Sequence, residues 1–407
     1  MTILSGWWVL CLWPGLAGAM DLDIHGLLDA RLVHGDSDRG WLDGGLDKQR
    51  FDRDDNGLRL GQAVLEGHFT AGTVDGKLWL NGDEDRREGV GVGEAWVRWR
   101  PIPESAWRWQ AKAGLYFPEL SLENGGQGWT SEYLISSSAI NTWVGEELRA
   151  LGGELTLRYQ GALAGSPQDW QVTAGVFSHN DPAGGMLAWR GWTVGDRVTT
   201  ADETVRYPDL PIFRPGGYWD GQAPAMEAFR EIDHRKGYYA GTAWRWLDRF
   251  TLTLMRYDNR GDPEAYAAGQ WAWDTSFNHA GLAWRQDGYT VLAQAMSGRT
   301  VMGYVPFHDL VADFRSWYVL ASRQYGPHRF SLRYDRFWVT DRDGKAGDPN
   351  GEYGKALAAG WNWTFRRDMD AGLEWLRQDS DREARALVGL PEEQREDLWQ
   401  GRVRWWF

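Results

Sequence analysis

The sequence predicts an all-β chain, a transmembrane antiparallel β-barrel of about 16 strands, and three observations lead to this fold class. The 407 residues include 28 Trp, 15 Tyr and 14 Phe, although 25% of the chain is charged. No segment after residue 20 approaches the run of about 20 apolar residues that a membrane-spanning helix needs. Apolar and polar residues instead alternate with period two over segments of about 10 residues, as membrane strands do, and membrane barrels place aromatic girdles at both interfaces.

The N-terminus predicts export. Residues 1–19 contain no charged residue, and their apolar stretch ends in the small residues Ala17 and Ala19, which is typical of a secretory cleavage site. We expect a signal peptide cut after Ala19, with 20–407 as a single transmembrane barrel domain. No Lys or Arg precedes the apolar stretch, so an uncleaved anchor is the alternative. Because the only cysteine, Cys11, lies within this segment, the mature chain would hold no disulfide or thiolate nucleophile.

The strands follow from the alternation. In 107–117, for example, Trp107, Trp109 and Leu115 share one face, and Arg108 and Lys112 share the other. Clusters of Gly, Asp, Asn and Pro separate such segments. The predicted strands lie near residues 21–34, 57–71, 74–83, 90–101, 106–117, 149–163, 169–180, 234–246, 249–259, 271–286, 289–303, 311–325, 328–341, 352–366, 369–380 and 395–407.

The connections between these strands alternate in length. The short ones are 72–73, 102–105, 164–168, 247–248, 287–288, 326–327 and 367–368. The long ones are 35–56, 84–89, 118–148, 181–233, 260–270, 304–310, 342–351 and 381–394. Short periplasmic turns that alternate with long outer loops are characteristic of outer-membrane barrels, whereas a soluble β protein has no reason to keep this parity. The weakest point is the outer loop 181–233, where 187–192 (LAWRGW) is a further strand candidate.

The C-terminus carries a more specific signal. Val403, Trp405 and Phe407 fall on one face of the last strand, and Arg402 and Arg404 on the other. In this the sequence resembles bacterial outer-membrane proteins, whose final strand ends in Phe and is read by the outer-membrane assembly machinery. Strand number and loop layout resemble the 16-stranded porin class. A looser similarity to the phosphate-selective porin family lies in AGLYF followed by PELSLEN, but the chain has too few lysines for the basic ladder of that family.

The resemblance implies a non-enzymatic channel in the outer membrane. Small hydrophilic solutes would diffuse passively through it, without a cofactor, and the chain would contact outer-membrane lipid and assemble as a homotrimer. The alternatives are a substrate-specific channel for an anion or an oligosaccharide, an outer-membrane hydrolase, and a soluble periplasmic β protein. A net charge of -13 argues against nucleic acid as a partner.

The same face assignment predicts a charged lumen. If Trp405 and Phe407 face lipid, the opposite face lines the pore, and placing its cations in lipid instead would cost about 2–4 kcal/mol each at the midplane. The predicted pore-lining basic residues are Arg98, Arg100, Arg108, Lys112, Arg158, Arg285, Arg333, Arg402 and Arg404. In the porin class the third long loop folds inward, here 118–148, which would contribute the acidic residues Glu119, Glu123, Glu132, Glu146 and Glu147. A basic wall facing an acidic loop would set up a transverse field; solvated charges without an arranged function are the alternative.

Other motifs are weaker. Asp52, Asp54 and Asn56 match the first half of a calcium-binding loop, but Ala63 stands where a bidentate Glu should follow. A polar turn is the favoured interpretation, so no metal site is expected. The sequence has no G-x-S-x-G and no H-E-x-x-H motif, which leaves a catalytic triad assembled across loops as the remaining route to a hydrolase.

Overall fold

The computed structural model describes residues 20–86, 89–304 and 310–407. Sixteen antiparallel strands form a closed barrel in chain order, in which the last strand pairs with the first. This is the all-β barrel that the alternation predicts. The expected signal peptide, 1–19, lies outside the described residues, and so does Cys11.

Each predicted strand has a counterpart in the barrel. The first eight are β1 (Asp21–Gly35), β2 (Gly57–Ala71), β3 (Val74–Gly82), β4 (Val90–Trp99), β5 (Trp107–Tyr116), β6 (Ala150–Tyr159), β7 (Gln168–Ser178) and β8 (Gly237–Trp246). The second eight are β9 (Phe250–Asp258), β10 (Asp274–Gln286), β11 (Tyr289–Met302), β12 (Leu310–Tyr325), β13 (His328–Asp341), β14 (Glu352–Arg366), β15 (Met369–Arg382) and β16 (Glu393–Trp406).

The strand faces separate by chemistry. In β16 the side chains of Arg402 and Arg404 point to the barrel interior and are buried, whereas Val403 and Trp405 on the alternate positions are about 44% exposed on the outside. Successive side chains of a strand point to opposite faces of the sheet, so one alternating pattern supplies both surfaces. Outer-face tryptophans such as Trp99, Trp107 and Trp170 lie near strand ends.

Connection lengths divide the barrel into two rims. We call the end that carries the short connections the short-turn rim and the opposite end the long-loop rim. At the short-turn rim β10 and β11 are joined by Asp287 and Gly288, both at positive φ (49° and 80°), the backbone form of tight hairpin turns with the right-handed twist of the strands.

The helices are short and lie in long connections. They are α1 (Ala139–Glu147) and α2 (Gly185–Trp189). Among the described residues, no helix has both the length and the apolar character needed to cross a membrane. The helix α2 occupies the place where 187–192 was a strand candidate, so that alternative is wrong. Two further strand pairs stay outside the barrel, 204–206 with 225–227 and 266–267 with 270–271.

Candidate functional site

The segment 118–148, between β5 and β6, is attached to inner-face side chains on the far side of the barrel. The backbone amide of Ile135 donates to Glu374 on β15 at 2.7 Å, and that of Ser136 to the same carboxylate at 3.1 Å. The first amide of α1, that of Ala139, donates to Asp335 on β13 at 3.1 Å. Backbone amides in this segment are therefore satisfied by carboxylates of the barrel wall.

Arg333 on β13 holds the same stretch through its carbonyl groups. Its guanidinium donates to the carbonyl oxygens of Ser136 (2.6 Å) and Ser137 (2.9 Å), and it pairs with Asp335 at 2.8 Å and Glu123 at 3.4 Å. All of these charged side chains are fully buried. A guanidinium offers five donors in a fixed fork, so one wall arginine fixes several groups of the segment at once.

Further attachments lie on other strands. Gln294 on β11 accepts from the amide of Leu122 (3.0 Å) and from Asn141 (2.9 Å). On the β2 wall, Gln62 donates to the carbonyl of Gly128 at 2.7 Å. The segment thus contacts the inner face on widely separated strands.

The second buried segment is the connection from β7 to β8, 179–236. Sequence reasoning treats 181–233 as an outer loop, but residues 180–194 are all buried. The side chain of Asn180 donates to the carbonyl of Glu147 in α1 and accepts from Tyr257 on β9 at 2.7 Å. The amide of Trp192 donates to Glu352 on β14 at 2.7 Å. The stretch 180–194 therefore packs between α1 and the inner face, whereas 214–218 is largely exposed.

Carboxylates at the contact between the two segments are strongly perturbed. Burial raises the pKa of Glu147 to about 7, although the amide of Met186 (2.9 Å) and the indole of Trp143 donate to it. Within 179–236 itself, burial raises the pKa of Asp181 to about 6, although the amides of Ile232 and Asp233 donate to its carboxylate. These groups gain protons between mildly acidic and neutral pH, so the contact between the segments responds to pH in that range.

A charged cluster joins 179–236 to β1 and to the first long connection. Asp196 pairs with Arg31 on β1 at 2.5 Å and with Arg50 at 3.2 Å. Burial favours the neutral acid, but the attraction of the two guanidinium groups outweighs it and lowers the pKa of Asp196. Asp196 is therefore a carboxylate that links two arginines of different elements.

The predicted basic residues fall into two groups. The buried group on the inner face forms ion pairs with acids of the same wall: Arg333 with Asp335, Arg402 with Asp370 (3.2 Å), Arg404 with Asp29 (2.8 Å), and Lys112 with Glu154 (2.9 Å). The second group lies at or near the short-turn rim and is more exposed: Arg98, Arg100, Arg108, Arg158 and Arg285. The wall therefore carries both signs of charge and differs from the purely basic wall of the sequence-based expectation.

The predicted acidic residues of 118–148 are also divided. Glu123 contacts Arg333, Glu119 accepts from Gln171 on β7 at 3.1 Å, and Glu132 pairs with Arg329 on β13 at 2.8 Å. Glu146 and Glu147 do not face the wall across open water. Glu146 pairs with Arg190 at 2.7 Å, and Glu147 accepts from the amide of Met186, so both serve the contact with 179–236.

A cavity of about 420 Å³ remains between 118–129 and the inner face of β3–β5 and β7–β10. The side chain of Lys77 lies in its wall and forms ion pairs with Glu66 at 3.0 Å and with Glu94 at 3.1 Å. Phe117 and Trp129 stack beside it with ring centroids 4.0 Å apart. The cavity combines aromatic faces with charges of both signs.

The weak metal candidate is a structured turn. Asp52 caps the amide of Asp54 at 2.8 Å and accepts from the amide of Gly40 at 2.8 Å, and Asn56 bonds the backbone of Gly35. Asp43, Asp52 and Asp55 have ligand atoms within 4.8 Å of one another. Because local amides already occupy Asp52, the contacts favour the polar-turn interpretation.

Sequence reasoning missed the inner-face acids. Asp29, Glu66, Glu154, Asp335 and Glu374 hold the buried cations or the segment 118–148. The inward orientation of two of them could have been predicted from their spacing in the strand. Asp29 and Asp335 stand two residues from Arg31 and Arg333, so each acid shares a strand face with its arginine. The burial of 179–236 had no comparable periodic signal.

No family model matches the chain, and no curated protein sequence matches it. Solved structures do match in fold. The outer membrane channel DcaP of Acinetobacter baumannii is 13% identical, with a TM-score of 0.54 over 95% of this chain and 97% of that one. OmpF of Salmonella typhi, in a complex with daunomycin, is 11% identical, with a TM-score of 0.52 over 95% and 97%.

A third match has the same character. OmpTdeltaL8, a loop L8 deletion mutant of the outer membrane protein OmpT of Vibrio cholerae, is 9% identical with a TM-score of 0.52, covering 96% of this chain and 100% of that one. The closed 16-strand barrel and these matches define a porin-like β-barrel. At such low identity the likeness concerns the fold alone.

Proposed function

We propose that the protein is an outer-membrane channel that conducts small hydrophilic solutes through the barrel. One observation carries the proposal: a closed 16-strand barrel whose inner face is charged and whose outer face is apolar and aromatic except near the long-loop rim of β9–β16. A soluble barrel would place its charges outside, whereas a membrane barrel reverses the two faces. On this proposal the short-turn rim faces the periplasm and the long-loop rim the cell exterior.

The segment 118–148 narrows the channel in this proposal. Its attachments to Glu374, Asp335 and Gln294 hold it against the inner face on the far side of the barrel from β5. Together with 179–236 it fills part of the lumen towards the long-loop rim. Solutes would pass the charged and aromatic cavity next to 118–129. Cations and anions would each find side chains of opposite charge there.

Planar-bilayer recording tests the channel. Purified protein, shown to be folded by heat-modifiable migration in detergent, should give discrete ionic conductance steps. Folded protein that inserts but gives no steps would contradict the proposal, and extraction from cells without detergent would contradict the membrane location. The expected cleavage after Ala19 is checked by N-terminal sequencing of the mature protein.

A sugar-specific channel is the second candidate function, and the cavity with Phe117 and Trp129 favours it. Aromatic rings offer faces on which sugar rings stack, and the neighbouring carboxylates accept from hydroxyl groups. Maltotriose should then block the current at micromolar to millimolar concentration, and Trp129→Ala should relieve the block. Val90→Ala on the outer face is the control. A current that is indifferent to maltotriose leaves the general channel as the better description.

We also propose that copies of the chain assemble through the outer face of β1–β8. The outward positions of the long-loop half of these strands carry no Lys, Arg, Asp or Glu, and Leu32, Leu58 and Val176 are 58–77% exposed there. Such a surface suits close contact with a second copy. Light scattering of the detergent-solubilised protein should give a mass above that of one chain, and Leu58→Glu should shift it towards one chain.

A further inference from the structure

The outer surface of the barrel has two unlike halves near the long-loop rim. The half formed by β1–β8 is uncharged on its outer face. The half formed by β9–β16 carries outward-facing cations on most of its strands and just beyond one strand end, namely Arg256, Arg299, Arg315, Arg336, Arg342, Lys355, Arg377 and Arg395. The barrel needs no such band for closure, because the strand pairing is the same in both halves.

Strand register brings these cations together. Arg336 on β13 is paired with Lys355 on β14, Lys355 with Asp379 on β15, and Asp379 with Arg395 on β16. The side chains of Arg299, Lys355 and Arg395 are 44–64% exposed. The cations therefore form a continuous lateral band above the apolar part of the barrel, where Trp399 and Val403 are exposed.

Acidic side chains neutralise part of the positive charge of the band. Asp313 on β12 pairs with Arg299 at 2.6 Å and with Arg342 at 2.7 Å, and Asp379 pairs with Arg395 at 2.6 Å. Each of these carboxylates serves two cations, since Asp379 also contacts Lys355 at 3.4 Å. Asp258 on β9 pairs with Arg256 at 3.5 Å, and Asp397 on β16 pairs with Arg377 at 2.9 Å. Six of the eight cations therefore have a carboxylate partner, and two do not among the described residues.

Two arginines in the centre of the band are the uncompensated ones. Arg315 lies over the ring of Trp338 at 4.7 Å, and Arg336 lies over Trp338 at 5.2 Å and over Tyr353 at 5.1 Å. Within 20–86, 89–304 and 310–407, neither guanidinium forms an ion pair with a carboxylate. Stacking on the rings fixes both groups on the outside of the barrel. Arg336 also donates to the hydroxyl of Tyr334 at 3.4 Å, and the other N–H donors stay available.

Next to these arginines the outer surface has a shallow depression of about 470 Å³. Its lining includes the four arginines Arg256, Arg299, Arg315 and Arg342, one carboxylate, that of Asp313, and the polar side chains of Asn278, Ser297 and Thr340. Guanidinium groups together with amide and hydroxyl donors are the groups that bind phosphate oxygens. The depression opens sideways from the barrel wall, so a ligand reaches it from the membrane and not from the lumen.

We propose that this band, centred on Arg315 and Arg336, binds the phosphate groups of an anionic lipid in the outer leaflet. The inference rests on the proposed membrane location but not on conduction. Near the long-loop rim, cations on the outer face avoid the free-energy cost of a charge at the bilayer midplane. On the proposed membrane location, anionic lipid headgroups lie at the same level. The chain as a whole is acidic, with a net charge of -13, so two outward-facing arginines without a carboxylate partner are not a consequence of composition.

Native mass spectrometry of the full-length folded protein tests the proposal. The protein in detergent micelles is titrated with diphosphoryl lipid A, phosphatidylglycerol, phosphatidylcholine or inorganic phosphate. We expect adducts with the first two lipids and none with phosphatidylcholine. Inorganic phosphate should compete only weakly. Full displacement of the lipid by millimolar inorganic phosphate would identify a free-anion site and overturn the lipid assignment.

A double variant, Arg315→Gln with Arg336→Gln, should weaken the lipid adducts about 25-fold, since each cation at an anionic membrane surface contributes about fivefold. The matched control is Arg323→Gln, because Arg323 lies on the same strand and the same outer face but at the short-turn rim, over the ring of Tyr289. Binding that is unchanged in the double variant, or reduced equally by the control, overturns the proposal.

Conduction separates this proposal from the channel proposal. The double variant should keep the conductance of the native protein, because both side chains lie outside the lumen. Lipid binding without conductance would refute only the channel, and conductance without selective lipid binding would refute only the lipid site.

Discussion

The two segments buried inside the barrel, 118–148 and 179–236, are held in different ways. The first is attached mainly through its backbone, whose amides and carbonyls meet Glu374, Asp335 and Arg333 of the wall. The second also uses backbone groups, such as the amide of Trp192 on Glu352, but it adds charged side chains of its own, such as Asp196, which pairs with Arg31 and Arg50.

This difference has a consequence for tolerance to substitution. A segment held by its backbone keeps its place when its own side chains change but depends on a few wall residues. A segment held by its side chains depends on its own sequence and on the ionisation of its acids. The first should therefore behave as a fixed part of the wall and the second as the more easily displaced part.

Removal of the second segment should have the largest effect. Replacement of 185–227 by a short Gly-Ser linker takes away the buried stretch while the strand ends remain. We expect the single-channel conductance to rise several-fold in planar bilayers. Shortening the exposed tip 214–217 is the control and should leave the conductance unchanged. An unchanged conductance in the first deletion would show that 179–236 does not occupy the path of the ions.

Loss of a wall carboxylate should release the first segment. Glu374→Ala removes the acceptor of the amides of Ile135 and Ser136, and we expect a loss of about 3 kcal/mol in the free energy of unfolding, because buried amides lose a charged partner. Chemical denaturation in detergent measures this loss, and limited proteolysis should cut within 118–148. Glu393→Ala, at an exposed carboxylate, should do neither. Equal stability of the two variants would contradict the attachment.

The contact between the segments should depend on pH. Burial raises the pKa of Glu147 from its ordinary value of 4.5 to about 7, so the folded protein holds a proton that the unfolded chain releases. The resulting stabilisation is complete below about pH 4.5 and is lost as the pH rises through 7, on the order of 3 kcal/mol.

Glu147→Gln, which cannot ionise, tests this dependence. Thermal unfolding of the native protein should shift between pH 4.5 and pH 7, and the variant should show a smaller shift while retaining the contacts of Asp196. A native protein whose unfolding temperature is constant over this interval would speak against a proton on Glu147.

The smallest effect is expected at the exposed edge of the first segment. Glu132 is 61% exposed where it meets Arg329, and exposed ion pairs contribute about 0–1 kcal/mol. Arg329→Gln should therefore change the free energy of unfolding by less than about 1 kcal/mol in chemical denaturation. A larger loss would place this pair among the buried attachments.

Much of the fold could be predicted because membrane strands and turns are local. The alternation that separates Trp405 from Arg404, and the alternating lengths of the connections, follow from a period of two residues and from the hairpin geometry of neighbouring strands. The strand count and the outward position of many tryptophans can be predicted without any information on long-range contacts. The expectation that Arg402 and Arg404 point inward agrees with their burial by the same rule.

The contacts inside the barrel could not be predicted in this way. Asp29 meets Arg404, and Arg190 meets Glu146, across distances in sequence that no local pattern records. The sequence by itself determined the barrel, because strand periodicity and pairing between chain neighbours are short-range. Only the tertiary structure decided that 180–194 lies within and that the buried cations Lys112, Arg333, Arg402 and Arg404 have acids beside them, because burial of a charge requires a partner that closure of the barrel brings near.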